Sequence, residues 1–512
     1  MEKPLVNKMR ESYEYFGGLS LIYGLLFAFC VYKNTHGVTF IIYAAATIVF
    51  AVLFMKKIGF HLQKKTKRYF IGMMLLSIAM IFTTDFFFIA FNWIGMLLLF
   101  GVAMIHQFYN DGRWNFPAYL QRLFILFGTA IGLCIYPFKH GVQYLTGKDS
   151  GKKRTIYAIL IGFLVALGLL VVILPLLLRS DMVFATFFGD ILKYINLPTI
   201  FGVGITVVLG FTACYAFFSS LCSYNFPVET ERKLKYYNPI VGITFTSVLA
   251  FIYMLYCGIQ ILYLFLGLDK GLPSSVTYSE YARSGFWELL FVSIINFVLV
   301  LICMYVFTEN KVLKGVLTFI SGCTYIMLIS AAYRMLIYVG QYDLTFLRVL
   351  VLWFLLVLAL IMGGVIINIF KKSFPLFRYI MMIVAVCYIT FALSRPNYWI
   401  VQYNVANAEE MSYSDIQYLM VNFPEDAASA IAKINPEEIN ETADSSRYYQ
   451  LSSEDIKGRL YDYFYDLSNN NEGVYFRKAN YVRIRAKLIS DDYLEQHKDY
   501  EKYSNRSYSS YY

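Results

Sequence analysis

The sequence is short of charge. Asp, Glu, Lys and Arg make up 15% of its 512 residues, against about 25% in a soluble domain. Histidine is scarce as well. Five are scattered along the chain (His36, His61, His106, His140 and His497), and only His106 falls at an apolar segment, which suits an interfacial or satisfied side chain better than a ligand. The eight cysteines, Cys30, Cys134, Cys214, Cys222, Cys257, Cys303, Cys323 and Cys387, all lie in or beside apolar segments, and no two have CxxC spacing. That excludes a disulfide framework or a cysteine metal site and reads as packing. HExxH, GxSxG and Walker A motifs are missing. The string GKDSGKK at 147–153 places three residues between its glycines where a phosphate loop needs four, and no strand precedes it. No catalytic residue, cofactor or metal is therefore expected, and the balance leans away from an enzyme.

What is abundant is apolar sequence: 58% hydrophobic residues and a mean hydropathy of +0.54. Aromatics reach 19%, with 45 Tyr and 45 Phe, a composition that suits the interfacial belts of membrane helices. Apolar runs long enough to cross a bilayer lie at about 17–32, 38–55, 69–84, 88–108, 156–178, 199–221, 239–266, 286–306, 315–333, 349–370 and 375–394. That makes about eleven spans. The fold class expected is all-α: a polytopic transmembrane helical bundle with a small, mainly helical soluble C-terminal module. No small-residue cleavage site follows the first apolar run, so it reads as an uncleaved span. Within the spans, Gly202 and Gly204, and the Gly128–Gly132 GxxxG pair, are expected to serve close helix packing.

A twelfth apolar run, 119–138, contains Arg122 and ends at Pro137 and Lys139. Charge decides its placement. With eleven spans and the N-terminus inside, inner segments hold 24 of the 31 Lys and Arg of residues 1–394; if 119–138 crosses, the split becomes 17 to 14. The positive-inside tendency favours the first arrangement. The 119–138 run is thus expected as a re-entrant or interfacial helix on the cytoplasmic side. The loop 56–68, with Lys56, Lys57, Lys64, Lys65, Lys67 and Arg68, is the strongest inner anchor. The segment between Arg179 and Pro198 has helical apolar spacing and is expected along the outer interface. A basic total of +10 then reflects loop anchoring, and no nucleic-acid partner is implied.

Composition changes after Arg395–Pro396. Residues 395–512 carry 13 basic and 19 acidic residues, a net of −6, while residues 1–394 carry +16. Pro424, Glu425 and Asp426 open a helix running to Ile434, with acids in its first turn. Ser452 to Asp455 has capping-box form, and Ile456, Leu460, Phe464 and Leu467 make one apolar stripe. Val482 to Leu488 alternates apolar and basic residues and fits strand or helix. Four regions result: 1–155, an N-terminal membrane region with about four spans and the re-entrant helix; 156–394, a membrane core with about seven; 395–501, an extracytoplasmic helical domain; and 502–512, a Ser/Tyr/Asn-rich tail expected to be disordered.

Charges near span ends are costly in lipid and mark the best candidate site. Asp85, Glu280, Arg283, Glu288, Arg334, Asp343, Arg348 and Arg395 all fall near the outer surface in this topology. They are read as the candidate lining of an outer vestibule, beside the plainer reading of interfacial ion pairs that orient helices.

Three stretches carry a resemblance: PSSVTYSEYARSGFWELL (Pro273–Leu290), SAAYRMLIYVGQYDLTFLR (Ser330–Arg348) and SRPNYWIVQYNVANAEEMSYSDIQYL (Ser394–Leu419), continued by Pro-Glu-Asp-Ala at 424–427. Together they resemble a bacterial family of polytopic membrane proteins described as a domain of unknown function, the 4173/4153 group, over roughly residues 150–440. Asp343 departs from the pattern, which has glycine in Tyr-Gly-Leu-Thr. The resemblance implies a multi-pass protein of the bacterial cytoplasmic membrane and transfers no catalytic residue.

Three functions fit. The leading one is a non-enzymatic envelope scaffold or sensor, with membrane lipids around its spans and a protein or envelope partner on an extracytoplasmic C-terminal domain. The second is a transporter of a small solute, against which stands the scarcity of mid-bilayer charge and of paired broken helices. The third is a membrane-embedded transferase using a lipid-linked donor, for which Asp85 is the one candidate base.

Overall fold

In hydrocarbon a backbone must satisfy its own hydrogen bonds, so apolar runs of this length become helices. The computed structural model describes residues 4–109, 114, 116–146, isolated positions between 155 and 180, 197–223, 237–262, 286–371, 373–408, 411–439, 452–472 and 476–504. No strand occurs among them; an isolated bridge joins Tyr237 to Phe307. Nine described helices are long and apolar enough to cross a bilayer. They are α2 (Tyr13–Val31), α3 (Thr39–Ile58), α5 (Phe86–Phe108), α8 (Leu197–Ser223), α9 (Pro239–Gln260), α10 (Phe286–Val306), α11 (Lys311–Tyr342), α12 (Phe346–Phe370) and α13 (Leu376–Leu393). The chain is an all-helical, multi-pass integral membrane protein.

One segment, 69–84, differs from the expected ladder, while the 119–138 run, expected as re-entrant or interfacial, has the bend of a broken span or a re-entrant loop. The 69–84 run forms α4 (Thr66–Ala79), 14 residues long, or about 21 Å against a hydrocarbon core of about 30 Å. It stops there because the backbone turns through Ile81–Thr84 to let Asp85 cap the next helix. The 119–138 run is broken into α6 (Phe116–Gly132) and α7 (Tyr136–Thr146). Tyr119–Gly132 and Tyr136–Thr146 are bent by 48°. Pro137 sits in the first turn of α7, where its missing N–H costs nothing. Among the described residues, Gly128, Gly132 and Gly204 meet no close neighbour: no described atom lies within 4 Å of where a Cβ would stand. Gly202 is pressed against the Tyr32 ring. The expected span 156–178 lies outside the described residues apart from isolated helical positions, and the expected interfacial segment after Arg179 and the GKDSGKK string lie outside them, save Arg179, Ser180 and Leu197.

The chain divides into two compact units. The first comprises Met1–Val228 with Val474–Tyr481. Here α2 lies against α8, with Gly24 meeting the Val207 carbonyl and Gly210 meeting Phe27. Phe54 stacks on Phe218 at 3.9 Å, and buried His140 shares a 2.9 Å hydrogen bond with the Tyr215 hydroxyl. The basic loop after α3 is fastened by Gln107, whose Oε1 accepts from the Gln63 amide (3.1 Å) and the Thr66 hydroxyl (3.0 Å), while its Nε2 donates to the His61 carbonyl (2.8 Å).

The second unit comprises Glu229–Gly473 with Val482–Tyr512. Helices α9 to α13 form its membrane part. Its C-terminal helices are α14 (Pro396–Asn407), α15 (Tyr413–Asn422), α16 (Pro424–Ile431), α17 (Ser453–Asn470) and α18 (Tyr481–Gln496). They close a separate apolar core around Ile400, Ile416, Leu419, Ile431, Leu460 and Phe464. Leu344, from the turn joining α11 to α12, and Phe346 and Val349, from the first turn of α12, pack into that same core. The tail is thus built onto a membrane hairpin. The 482–488 stretch is helical, because Val482 and Ala486 share the buried face with Tyr493. Phe464, Tyr493, His497 and Tyr500 stack ring on ring at 4.0 to 4.7 Å. The 3₁₀ turn Lys498–Tyr503 runs into the stretch expected to be disordered. It presses the Tyr503 carbonyl onto Gly458 so closely that a Cβ there would stand 2.0 Å away.

Candidate functional site

In the first unit, Asp85 is a helix cap. Its Oδ1 accepts from the backbone N–H of Phe87 (2.7 Å) and of Phe88 (3.4 Å), and its own N–H donates to the Thr83 hydroxyl (3.2 Å). A carboxylate here satisfies orphan donors and meets the positive end of the α5 dipole. Asp85→Ala is expected to lower thermal stability by about 1 kcal/mol and Asp85→Asn by much less, read from melting of the detergent-solubilised chain; equal losses would argue that charge rather than capping is what matters.

The loops beside Asp85 hold a piece of chain from far downstream. The Arg477 carbonyl accepts from Asn34 Nδ2 (3.1 Å) and the Thr39 hydroxyl (3.2 Å), and the Arg477 guanidinium donates to the Tyr32 carbonyl. The Val38 N–H donates to the Ala479 carbonyl (2.9 Å) and the Tyr481 N–H to the Ile81 carbonyl (3.0 Å). Buried Asn480 donates to the carbonyls of Met80 (3.1 Å) and Thr83 (2.9 Å). Gly37, at φ 111°, makes room: a Cβ there would sit 2.7 Å from the Ala479 oxygen. Only glycine combines that conformation with so close an approach.

In the second unit, Glu288 lies in the first turn of α10, where an acid suits the dipole. Glu280 and Arg283 lie outside the described residues. Arg334 is buried on α11, eight residues or about 12 Å before its end. Its Nη2 lies 3.5 Å from Gln260 Oε1, which also accepts from the Ser330 hydroxyl at 2.7 Å. Deeper between the helices, Asn296 accepts from the Tyr253 hydroxyl (2.8 Å) and donates to the Thr324 hydroxyl (3.0 Å). A polar seam therefore joins α9, α10 and α11. Gln260, Asn296, Thr324 and Ser330 carry no charge; their sequence signal is a neutral polar side chain inside an apolar helix.

Asp343 and Arg348 meet at the turn between α11 and α12. The Arg348 guanidinium donates to the carbonyls of Tyr342 and Asp343 and lies 4.3 Å from the centre of the Tyr338 ring. Asp343 takes φ 64° and ψ 177°. Burial, and then the nearby Asp415 carboxylate, push its carboxyl above the ordinary range, with Arg348 acting the other way. Asn404 of α14 clasps the turn, accepting from the Leu344 N–H (2.9 Å) and donating to the Leu344 carbonyl (2.8 Å).

Arg395 is drawn elsewhere. At φ 56° it starts α14, and its Nη2 pairs with Asp426 Oδ1 at 2.9 Å. The guanidinium groups of Arg395 and Arg485 lie 4.8 Å and 5.3 Å from the centre of the Tyr398 ring. The Ser-Arg-Pro and Pro-Glu-Asp-Ala strings noted in the sequence are thus the two halves of one ion pair. No group of three or more His, Cys, Asp or Glu with metal-binding geometry occurs among the described residues.

Neither a curated protein nor a solved structure matches the chain. A family does match, over residues 70–434, a stretch that takes in Asp85, the Asp343 turn and the Arg395–Asp426 pair and ends before Arg477. On that match, more than half its length, the chain belongs to the family described as Domain of unknown function (DUF4153).

Proposed function

We propose that this integral membrane protein acts as an envelope scaffold or sensor of the bacterial cytoplasmic membrane, non-enzymatic, with its N-terminus inside and its C-terminal helical domain outside. The observation that carries the reading is the shared core: Leu344, Phe346 and Val349 of a membrane hairpin pack with Ile400, Ile416 and Phe464 of the C-terminal helices. A partner that tilts the domain then acts directly on α11 and α12. The lysine-rich loop after α3 supports the orientation. The test is Val421→Cys, an exposed position on α15. A membrane-impermeant maleimide should label it in intact cells, and a photo-crosslinker at the same site should give a discrete adduct. Label that appears only after lysis reverses the orientation; a lone, uncrosslinked chain sinks the partner.

A second reading, transport of a small polar solute, rests on the seam from Asn296 to Arg334. Intramembrane polar groups that face one another between helices commonly mark a pathway. Solute flux in reconstituted vesicles that survives unchanged in Arg334→Gln and Asn296→Leu would remove the seam from any such path.

A further inference from the structure

The first unit contains a cavity of about 610 Å³ between α2, α3, α4, α5, α6 and α8. Its occupant can be argued from three observations. First, the volume is about twenty times that of one water, yet the wall gives water little to bond. Among its few polar groups, the Tyr23 hydroxyl is already paired with the Thr47 hydroxyl at 3.0 Å, and Thr47 also bonds the Tyr43 carbonyl at 2.8 Å. The Trp93 indole N–H is turned out to the Thr35 carbonyl at 3.3 Å. A buried water needs two to four polar partners, so the space favours an apolar guest. Protein interiors do not leave such a volume unfilled.

Second, the cavity opens sideways. Leu97 of α5 and Ile131 of α6 line it, yet they are 52% and 75% exposed, on the flank that faces hydrocarbon in a membrane helix. Met96 and Phe218 line it as well and are 1% and 4% exposed, so they form its closed back. Third, the lining runs from Trp93 to Phe100 on α5 and from Gly210 to Phe218 on α8, about 10–12 Å along the helices. One leaflet of hydrocarbon is about 15 Å deep.

We propose that this cavity is a binding site for a single hydrocarbon chain of a membrane lipid, which enters between α5 and α6 and lies against Met96 and Phe218. The chemistry is that of a long apolar chain, which an acyl lipid and a polyprenyl lipid share. The site differs from the polar seam and the C-terminal domain invoked above and stands if either of those readings fails.

The test uses the full chain in nanodiscs with either a diazirine-bearing acyl phospholipid or a diazirine-bearing polyprenyl phosphate, followed by peptide mapping after illumination. Label on Met96 and Phe218 is expected, since lipid around the outside cannot reach them. A tenfold preference for one probe identifies the source, and equal labelling means that apolarity alone selects. Ala213→Phe, which fills the cavity from α8, should cut label at Met96 and Phe218 at least tenfold while Ile205, outside the cavity and 60% exposed, keeps its own. Label on the wild-type chain confined to Leu97, Ile131 and Ile205 overturns the proposal, whatever the variant does.

Discussion

Asp426→Ala is expected to cost the C-terminal domain about 3–5 kcal/mol, the usual loss when one partner of a buried ion pair is removed. The side chains of Arg395 and Asp426 are 18% and 8% exposed, so little water is at hand to take over from the lost carboxylate. Asp426 also sits in the first turn of α16, where its charge meets the helix dipole. Arg395 has little freedom to swing clear, because its backbone is fixed in the left-handed region just before Pro396. Limited proteolysis and thermal melting of the full chain measure the effect. The double replacement Arg395→Met with Asp426→Leu should recover most of the loss, since an apolar pair of similar volume often equals or exceeds a buried ion pair. A single-variant loss below about 1 kcal/mol would class the pair with exposed salt bridges.

Asp343→Gly should act in the opposite direction, with a gain of about 1–3 kcal/mol. A φ of 64° with ψ of 177° falls in a region that is essentially reserved for glycine. Glycine alone takes that conformation without strain. The gain has two parts that pH separates. The Asp343 carboxyl is held above its ordinary range when folded, by burial first and Asp415 second. A raised carboxyl favours the folded state only while protonated. Its contribution is complete below the unfolded value of about 3.9 and is lost as pH rises through the folded value. The margin of Asp343→Gly over the natural chain should therefore be widest near neutral pH and shrink in acid. What persists below the carboxylate range is backbone strain alone. Melting curves across that range decide it; a margin that grows in acid would contradict the electrostatic part.

Much of the fold was legible because helix periodicity reports which face of a segment is buried. Ile456, Leu460, Phe464 and Leu467 read as one stripe and all four are buried; Ser452 and Asp455 read as a capping box and form one. Periodicity does not say what that face meets. Val482–Leu488 fitted two structures because its alternation, taken alone, suits a half-buried strand as well as the helix it becomes. The 69–84 run looked long enough to cross because hydropathy does not register a backbone turn, and the turn before Asp85 shortened it. The charges of the candidate site were found by cost, since a charge in lipid stands out. Their partners were not. Nothing near Arg395 in sequence points to Asp426, 31 positions away, and Asn404 and Gln260 are uncharged. The cavity left no sequence signal at all, because its wall is the same apolar sequence that makes the spans.

The segment at Arg477 bears on how the chain is made. Asn34 and the carbonyl it holds are 443 positions apart. The first membrane helices leave the ribosome long before that carbonyl exists. Until residues 477–480 have been made, the hairpin tips at 34–38 and 80–83 go without these hydrogen bonds. Closing so long a loop carries its entropic cost late. A chain that stops before Arg477 leaves both tips without these partners, so a truncation there is felt in membrane hairpins made hundreds of residues earlier.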